Sequence, residues 1–320
     1  MNQYICYDIT KRFSALITDH CICRDIYMTT NTQAWDIYWE TNQSANSFAF
    51  DYSATEGPYG VVNAFWQQTF SQFNSGETIV DLGAGNGSLC QLYLQSSKDV
   101  RFKNWINIDS ANAKPAVKHN LVSYQQDDMN ALSLPSESVD HFISMFGIEY
   151  ANFSQSLQHV KHCLNDKGHF HFLMHHHNAV ISVQSKITIS LCERILQAGL
   201  LANLNRFNNI EPLKKHLLSA LKFQLQQCPL NEQEDVKLIG QKIYYILHST
   251  SDITLCFQQL ELLSNQLDWQ ILRLKQQLEA ANQVVNLPEY LQSHGISNYS
   301  LKELKYKEDI LAWVLLGTKI

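Results

Sequence analysis

Glycine and proline are scarce in this chain, at 12 and 6 of 320 residues, which argues against a loop-rich or low-complexity protein and favours long helices with short connections. Charge is thin as well. Asp, Glu, Lys and Arg make up 17% of the residues, the net charge is -6 and no dense basic run occurs, so non-specific nucleic-acid binding is not expected. No apolar run is long enough to span a bilayer, and the N-terminus lacks a basic start followed by an apolar core. The expectation is a soluble, cytoplasmic protein without membrane association. The 8 cysteines are scattered, and the closest pair, Cys21 and Cys23, lacks the two-residue gap of zinc ligands, so reduced packing thiols and no metal site are expected. Apolar residues, at 45%, suffice for a core in one large domain with an insertion or in two domains.

Against this background one stretch stands out, Ile79-Val80-Asp81-Leu82-Gly83-Ala84-Gly85-Asn86-Gly87-Ser88-Leu89-Cys90. An apolar run ends in a carboxylate, turns on three glycines and restarts with helical periodicity, which reads as strand, tight loop and helix N-terminus. The spacing departs from the dinucleotide fingerprint G-x-G-x-x-G, because Ser88 stands where its third glycine belongs. A carboxylate at Asp81 would repel a pyrophosphate and favour a cationic ligand carrying an ammonium group and a sulfonium centre. Here the sequence resembles the class I S-adenosylmethionine-dependent methyltransferases, whose first motif, [D/E]-x-G-x-G-x-G, is matched by Asp81, Gly83, Gly85 and Gly87, with Ala84 between the glycines. The resemblance covers residues 76–178 and about 287–320. It implies S-adenosyl-L-methionine as cofactor and S-adenosyl-L-homocysteine as product.

Further strand tips extend the pattern. Trp105-Ile106-Asn107-Ile108-Asp109 is a short buried strand whose terminal carboxylate can accept hydrogen bonds from both ribose hydroxyls, with Ser110 beside it. Asp109 could equally cap a helix opening at Ser110 and Ala111. The run Asp127-Asp128-Met129 ahead of Leu134-Pro135 resembles the family's third-strand element, in which a carboxylate meets the adenine amino group and the next N–H a ring nitrogen; Asp128 with Met129 is the favoured pair and Asp127 a solvated neighbour. A fourth strand, Val139–Met145, leads into Phe146-Gly147-Ile148-Glu149-Tyr150, so Met145 and Phe146 should flank the cofactor, Tyr150 the substrate, and Glu149 either substrate or a structural hydrogen bond. The fifth strand runs into His175-His176-His177. His169 and His171 share a face with Leu173 and read as strand residues under the helices, whereas His175 and His176 end the strand beside the expected methyl group. A histidine near its unperturbed pKa of ~6.5 can take the proton of an acceptor hydroxyl or amine. His176, His175 and Glu149 are thus the catalytic candidates.

Residues 1–75 read as a helical, aromatic lid segment, in which Trp35 and Trp39 fall one helical turn apart, Gly57-Pro58-Tyr59-Gly60 forms a turn, and Val61 to Phe73 forms a helix. Tyr38, Tyr52 and Tyr59 are its substrate-contact candidates. A helical insertion, residues 179–286, offers a cap over the active site or a homodimer surface; its last helix carries Leu255, Leu262, Leu267, Ile271, Leu274 and Leu278 at helical spacing. A C-terminal hairpin closes the chain. The expected fold is α/β, a doubly wound seven-stranded sheet of Rossmann-like methyltransferase type formed by residues 76–178 and 287–320. The expected activity is in-line methyl transfer to the oxygen or nitrogen of a small molecule. A non-catalytic cofactor-binding sensor or scaffold is the alternative, and an NAD-dependent oxidoreductase a distant third.

Overall fold

The computed structural model describes residues 31–41, 51, 53–97, 99–113, 115–229, 233–293 and 298–319. The expectations for residues 1–30, for Phe48–Phe50 and for Tyr52 lie outside the described residues. Helix α1 (Asn31–Thr41) and helix α2 (Gly57–Phe70) precede β1 (Thr78–Leu82), α3 (Ser88–Ser96), β2 (Asn104–Asp109), β3 (Val122–Gln126), β4 (Val139–Met145), α4 (Phe153–Cys163) and β5 (Leu164–Met174). Helices α5 (Val180–Gln197), α6 (Ile210–Gln227), α7 (Gln233–Ser249), α8 (Ile253–Gln283) and α9 (Leu287–Ser293) follow, and then the strands β6 (Tyr299–Tyr306) and β7 (Asp309–Thr318).

The strands form one seven-stranded sheet in the order β3-β2-β1-β4-β5-β7-β6. Neighbours from β3 to β5 are parallel, and β7 runs antiparallel to both β5 and β6. The expected doubly wound fold with a reversed last strand is what forms. Chain direction across the sheet reverses between β1 and β4, and in such sheets ligands bind outside the carboxyl ends of the strands at that switch point. The central strands are buried on both faces, which is why Ile79-Val80, Phe142-Ile143 and Phe170 to Met174 are dense in apolar residues rather than alternating. On one face Trp66, Phe70 and Phe73 pack with Tyr93 and Trp105. On the other, Leu157 and Val160 of α4 pack with Leu287 and Leu291 of α9.

Three local expectations are corrected. The segment Gly57-Pro58-Tyr59-Gly60 is no turn but the first turn of α2, where proline costs no backbone hydrogen bond. No helix opens at Ser110, since the described residues between β2 and β3 carry no regular element; Pro115 disfavours helical backbone just before it. Leu255 is exposed, and the buried stripe of α8 runs instead through Cys256, Leu260, Leu263, Leu267, Ile271 and Leu274.

The chain divides into two compact units, one holding the sheet and reaching to Val183 and again from Gln276, the other containing Gln184–Lys275. Within the second, α6 buries Leu213 and Leu217, and α7 buries Ile239, Ile243 and Leu247. No helix among the described residues is long and apolar enough to cross a membrane.

His171 of β5 is 4% exposed, and neither ring nitrogen has a hydrogen-bond partner among the described residues. His141 of β4 stacks 5.7 Å away and is bonded to Glu77 at 3.0 Å. Burial first, then the neighbouring His141 and His169, pushes the His171 imidazole down to about 3. The unfolded chain takes up a proton below ~6.5 that the folded chain refuses until about 3, so stability present above ~6.5 is lost as pH falls through this window. His171→Leu is expected to lower the acid-unfolding midpoint by roughly half a pH unit, read by circular dichroism across pH 3 to 7. An unchanged midpoint would exclude His171 as a source of acid sensitivity.

Candidate functional site

The loop between β1 and α3 is built on backbone that only glycine adopts easily. Gly83, Gly85 and Gly87 all have positive φ, at 67°, 53° and 92°. Each is also bare against a particular neighbour. A Cβ on Gly83 would lie 2.5 Å from the Cα of Gly147, one on Gly85 would enter the indole of Trp39, and one on Gly87 would enter the hydroxyl of Tyr124. The backbone of Ala84 donates to Ile108 O at 3.0 Å, and the Tyr124 hydroxyl donates to Asn86 O at 3.2 Å. Strands β2 and β3 thereby hold the loop from one side.

Two carboxylates stand at the foot of the loop. Asp81, 1% exposed, is the last residue but one of β1, and its Oδ2 has no hydrogen-bond partner among the described residues. Burial, and secondarily the charge of Asp109, pushes its carboxyl well above the usual range. Asp109 ends β2 and accepts from Gly85 N at 2.7 Å and Ala111 N at 2.9 Å. Burial raises its carboxyl too, against the lowering effect of those backbone bonds. It does not cap a helix; it pins the glycine loop. Ser110 is exposed, and its carbonyl accepts from Gln126 Nε2.

The loop after β3 holds the paired aspartates. Asp127 is partly exposed and braces that loop, accepting from Ser133 N and Asp128 N at 2.9 Å each. Asp128 is exposed and accepts from Asn130 N and Nδ2, while Met129 packs into the core.

At the tip of β4 the Ser144 hydroxyl donates to Leu82 O at 2.7 Å and accepts from Ile148 N at 2.9 Å, tying β1 to the turn that follows β4. Met145 is buried, and Phe146 sits at a φ of 58° with its N–H donating to Leu173 O. The next residues, Ile148–Tyr150, form a short 3-10 helix that turns Glu149 inward, with no exposed surface. Its Oε1 accepts from His175 N at 2.8 Å and lies 2.7 Å from His175 Nδ1. A carboxylate there makes Nδ1 the protonated nitrogen and Nε2 the acceptor of the ring. Phe146 and Tyr150 stand beside the His175 ring, at 4.6 and 5.8 Å between centroids.

Strand alternation separates the two histidine candidates. His175 turns to Glu149, whereas His176 packs on Trp313 at 4.5 Å, accepts from Asn178 N at Nδ1, and lies 3.4 Å from Glu303. Burial, then His177, pushes the His176 imidazole below its ordinary value. Among the described residues no three His, Cys, Asp or Glu side chains converge as metal ligands.

Helix α1 lies over this region. Trp39 meets Gly85, Asp36 Oδ1 accepts from Asn112 N at 2.7 Å, and Trp35 packs edge-on against Tyr150 at 5.3 Å while its indole N–H donates to Gln276. Tyr38 packs on Trp35 and Trp39. Tyr59 instead packs with the α2 core cluster. Sequence reasoning missed Asp36, Trp39, Tyr124 and Ser144 as parts of the site. The pair Trp35/Trp39 was visible as a helical repeat, but nothing local ties it to a glycine 46 residues away.

Residues 80–172 match the family model described as a methyltransferase domain. The matched stretch runs from β1 into β5 and includes the glycine loop. Among solved structures, an S-adenosylmethionine-dependent methyltransferase from Mesorhizobium loti is 23% identical, over 39% of this chain and 59% of that one, with a TM-score of 0.33. A protein from Methanococcus maripaludis described as an S-adenosyl-L-methionine-dependent methyltransferase is 12% identical over 94% of this chain and 98% of its own, with a TM-score of 0.44. A phosphoethanolamine N-methyltransferase from Haemonchus contortus, in complex with phosphoethanolamine and S-adenosylhomocysteine, is 15% identical over 46% of this chain and 32% of its own, with a TM-score of 0.34. No curated protein matches.

Gly147 carries the first consequence for the site. A Cβ there would come within 2.5 Å of Leu82 O and 2.8 Å of Gly83 Cα, backbone atoms that cannot swing away. Gly147→Ala is expected to cost about 1–3 kcal/mol of stability and to weaken S-adenosylhomocysteine binding at least tenfold, by thermal melting and calorimetry. Wild-type affinity in the folded variant would show that the β4 turn does not set the loop.

Proposed function

We propose that the protein transfers the methyl group of S-adenosylmethionine to an oxygen or nitrogen of a small-molecule acceptor. The observation that carries the reading is Asp81, a buried carboxylate with an orphaned oxygen at the foot of a loop stripped of side chains. A buried carboxyl without a partner is costly, and a ligand with an ammonium group and a sulfonium charge compensates it where a dinucleotide pyrophosphate would not. Bound there, the cofactor supplies a methyl group already activated by its positive sulfur.

The chain's own residues hold and orient. Asp81 offers a charged acceptor at the foot of the loop formed by Gly83, Ala84, Gly85 and Gly87. Asp109 with Ser110 offers acceptors for ribose hydroxyls, Asp128 with Met129 the adenine edge, and Met145 and Phe146 an apolar border. Alignment and exclusion of water are the main contributions such a site can make. Of the two histidines, His175 is the one aligned by Glu149, and His176 supports the strand-end turn from the β7 side. Tyr38 and Tyr150, beside Trp35, are the aromatic contacts available to an acceptor.

Calorimetry with S-adenosylmethionine, S-adenosylhomocysteine and NAD tests the reading. Binding of the sulfur ligands and not NAD is expected, and folded protein that ignores both sulfur ligands would overturn it. Methyl release with candidate acceptors then separates an enzyme from a cofactor-binding sensor.

Asp81 adds a pH dependence with a defined sign. Because its carboxyl is raised in the free protein, a cationic ligand favours the ionised form, so a proton leaves on binding and affinity rises with pH through that titration. Binding enthalpies in buffers of different ionisation heat should differ accordingly. Asp81→Asn is expected to weaken the sulfur ligands by about 10- to 100-fold while raising the melting temperature of ligand-free protein at neutral pH. Lower stability together with unchanged affinity would assign Asp81 a purely structural role.

A further inference from the structure

Glu149 is fully buried, yet only half of its carboxylate is used. Oε1 takes both the backbone N–H and the ring of His175, while Oε2 has no hydrogen-bond partner and no surface. No lysine or arginine among the described residues pairs with it. Holding His175 requires one oxygen and no charge, which a glutamine would supply. A buried carboxylate with an empty oxygen is instead a costly group that a cationic hydrogen-bond donor would compensate. The surroundings suit such a donor, since Tyr150 and Phe146 present aromatic rings beside His175 and Trp35 packs against Tyr150.

We infer that the acceptor is an amine that enters as an ammonium ion, received and deprotonated by Glu149 Oε2. The inference rests on the methyltransferase reading above. In the proton step an N–H bond of the ammonium breaks, its electron pair stays on nitrogen as the attacking lone pair, and the proton bonds to Glu149 Oε2. Through the transfer His175 holds the carboxyl in place, with its backbone N–H and Nδ1–H both on Oε1. Glu149 is thus the residue that binds the acceptor and takes its proton, and His175 is the residue that positions it.

Sinefungin tests this without an identified acceptor, because it carries an amine in place of the S-methyl group and presents an ammonium where the transferred group would be. By calorimetry the wild type is expected to bind sinefungin at least tenfold more tightly than S-adenosylhomocysteine. In Glu149→Gln that preference should fall to about unity with S-adenosylhomocysteine affinity held within threefold. Nitrogen-15 NMR of the histidines should find His175 protonated at Nδ1 in the wild type. An unchanged sinefungin preference in a folded Glu149→Gln protein, or His175 protonated at Nε2, overturns the inference. If Glu149→Gln does not fold, the wild type decides, and sinefungin bound no more tightly than S-adenosylhomocysteine overturns it. Absence of any S-adenosylhomocysteine binding by wild type is a different failure, that of the methyltransferase reading itself.

Discussion

Two backbones meet at the switch point of the sheet, and the site depends on their contact. Gly83, just past β1, and Gly147, just past β4, approach so closely that neither position has room for a Cβ. The Ser144 hydroxyl fastens the same junction by bonding Leu82 O and Ile148 N. From it two arms extend. One is the glycine loop, carried over Asp81 and pinned by Asp109; the other is the short helix that swings Glu149 inward to His175. A side chain at the junction would move both arms together, which couples the region suited to a cofactor with the region suited to an acceptor.

The region is also defined by charge left uncompensated. Asp81 and Glu149 each bury a carboxylate with one orphaned oxygen, and burial raises the Asp109 carboxyl although the backbone N–H groups of Gly85 and Ala111 bond to it. Folded proteins rarely leave such groups, because desolvation of a carboxylate is expensive unless hydrogen bonds or a counter-charge offset it. Their concentration at the carboxyl ends of β1, β2 and the β4 turn is a stability cost placed where ligands bind in this class of sheet. Helix α1 deepens the effect by laying Trp39 on Gly85 and excluding water from the loop.

Much of this was legible in the chain. The order of strands, the reversed last strand and the glycine loop are written in local patterns, since a strand, a tight turn and a helix start each involve only a few consecutive residues. The acidic strand tips were legible for the same reason. Where local reading failed, the cause was also physical. Gly57-Pro58 looks like a turn but serves equally as a helix start, Pro115 stops the helix that Ser110 and Ala111 seem to open, and the true stripe of α8 lies beside Leu255 rather than on it.

By itself the sequence determined the class of sheet and the charge at its tips, because periodicity and turn chemistry act between residues close in the chain. Tertiary structure alone decided that Trp39 covers Gly85, that Tyr124 braces Asn86, and that His175 rather than His176 meets Glu149. Those contacts span 26 to 46 residues and depend on strand register and on which way alternate side chains point. In a run of three histidines, one step along the strand separates a ring held by a buried carboxylate from one packed against Trp313.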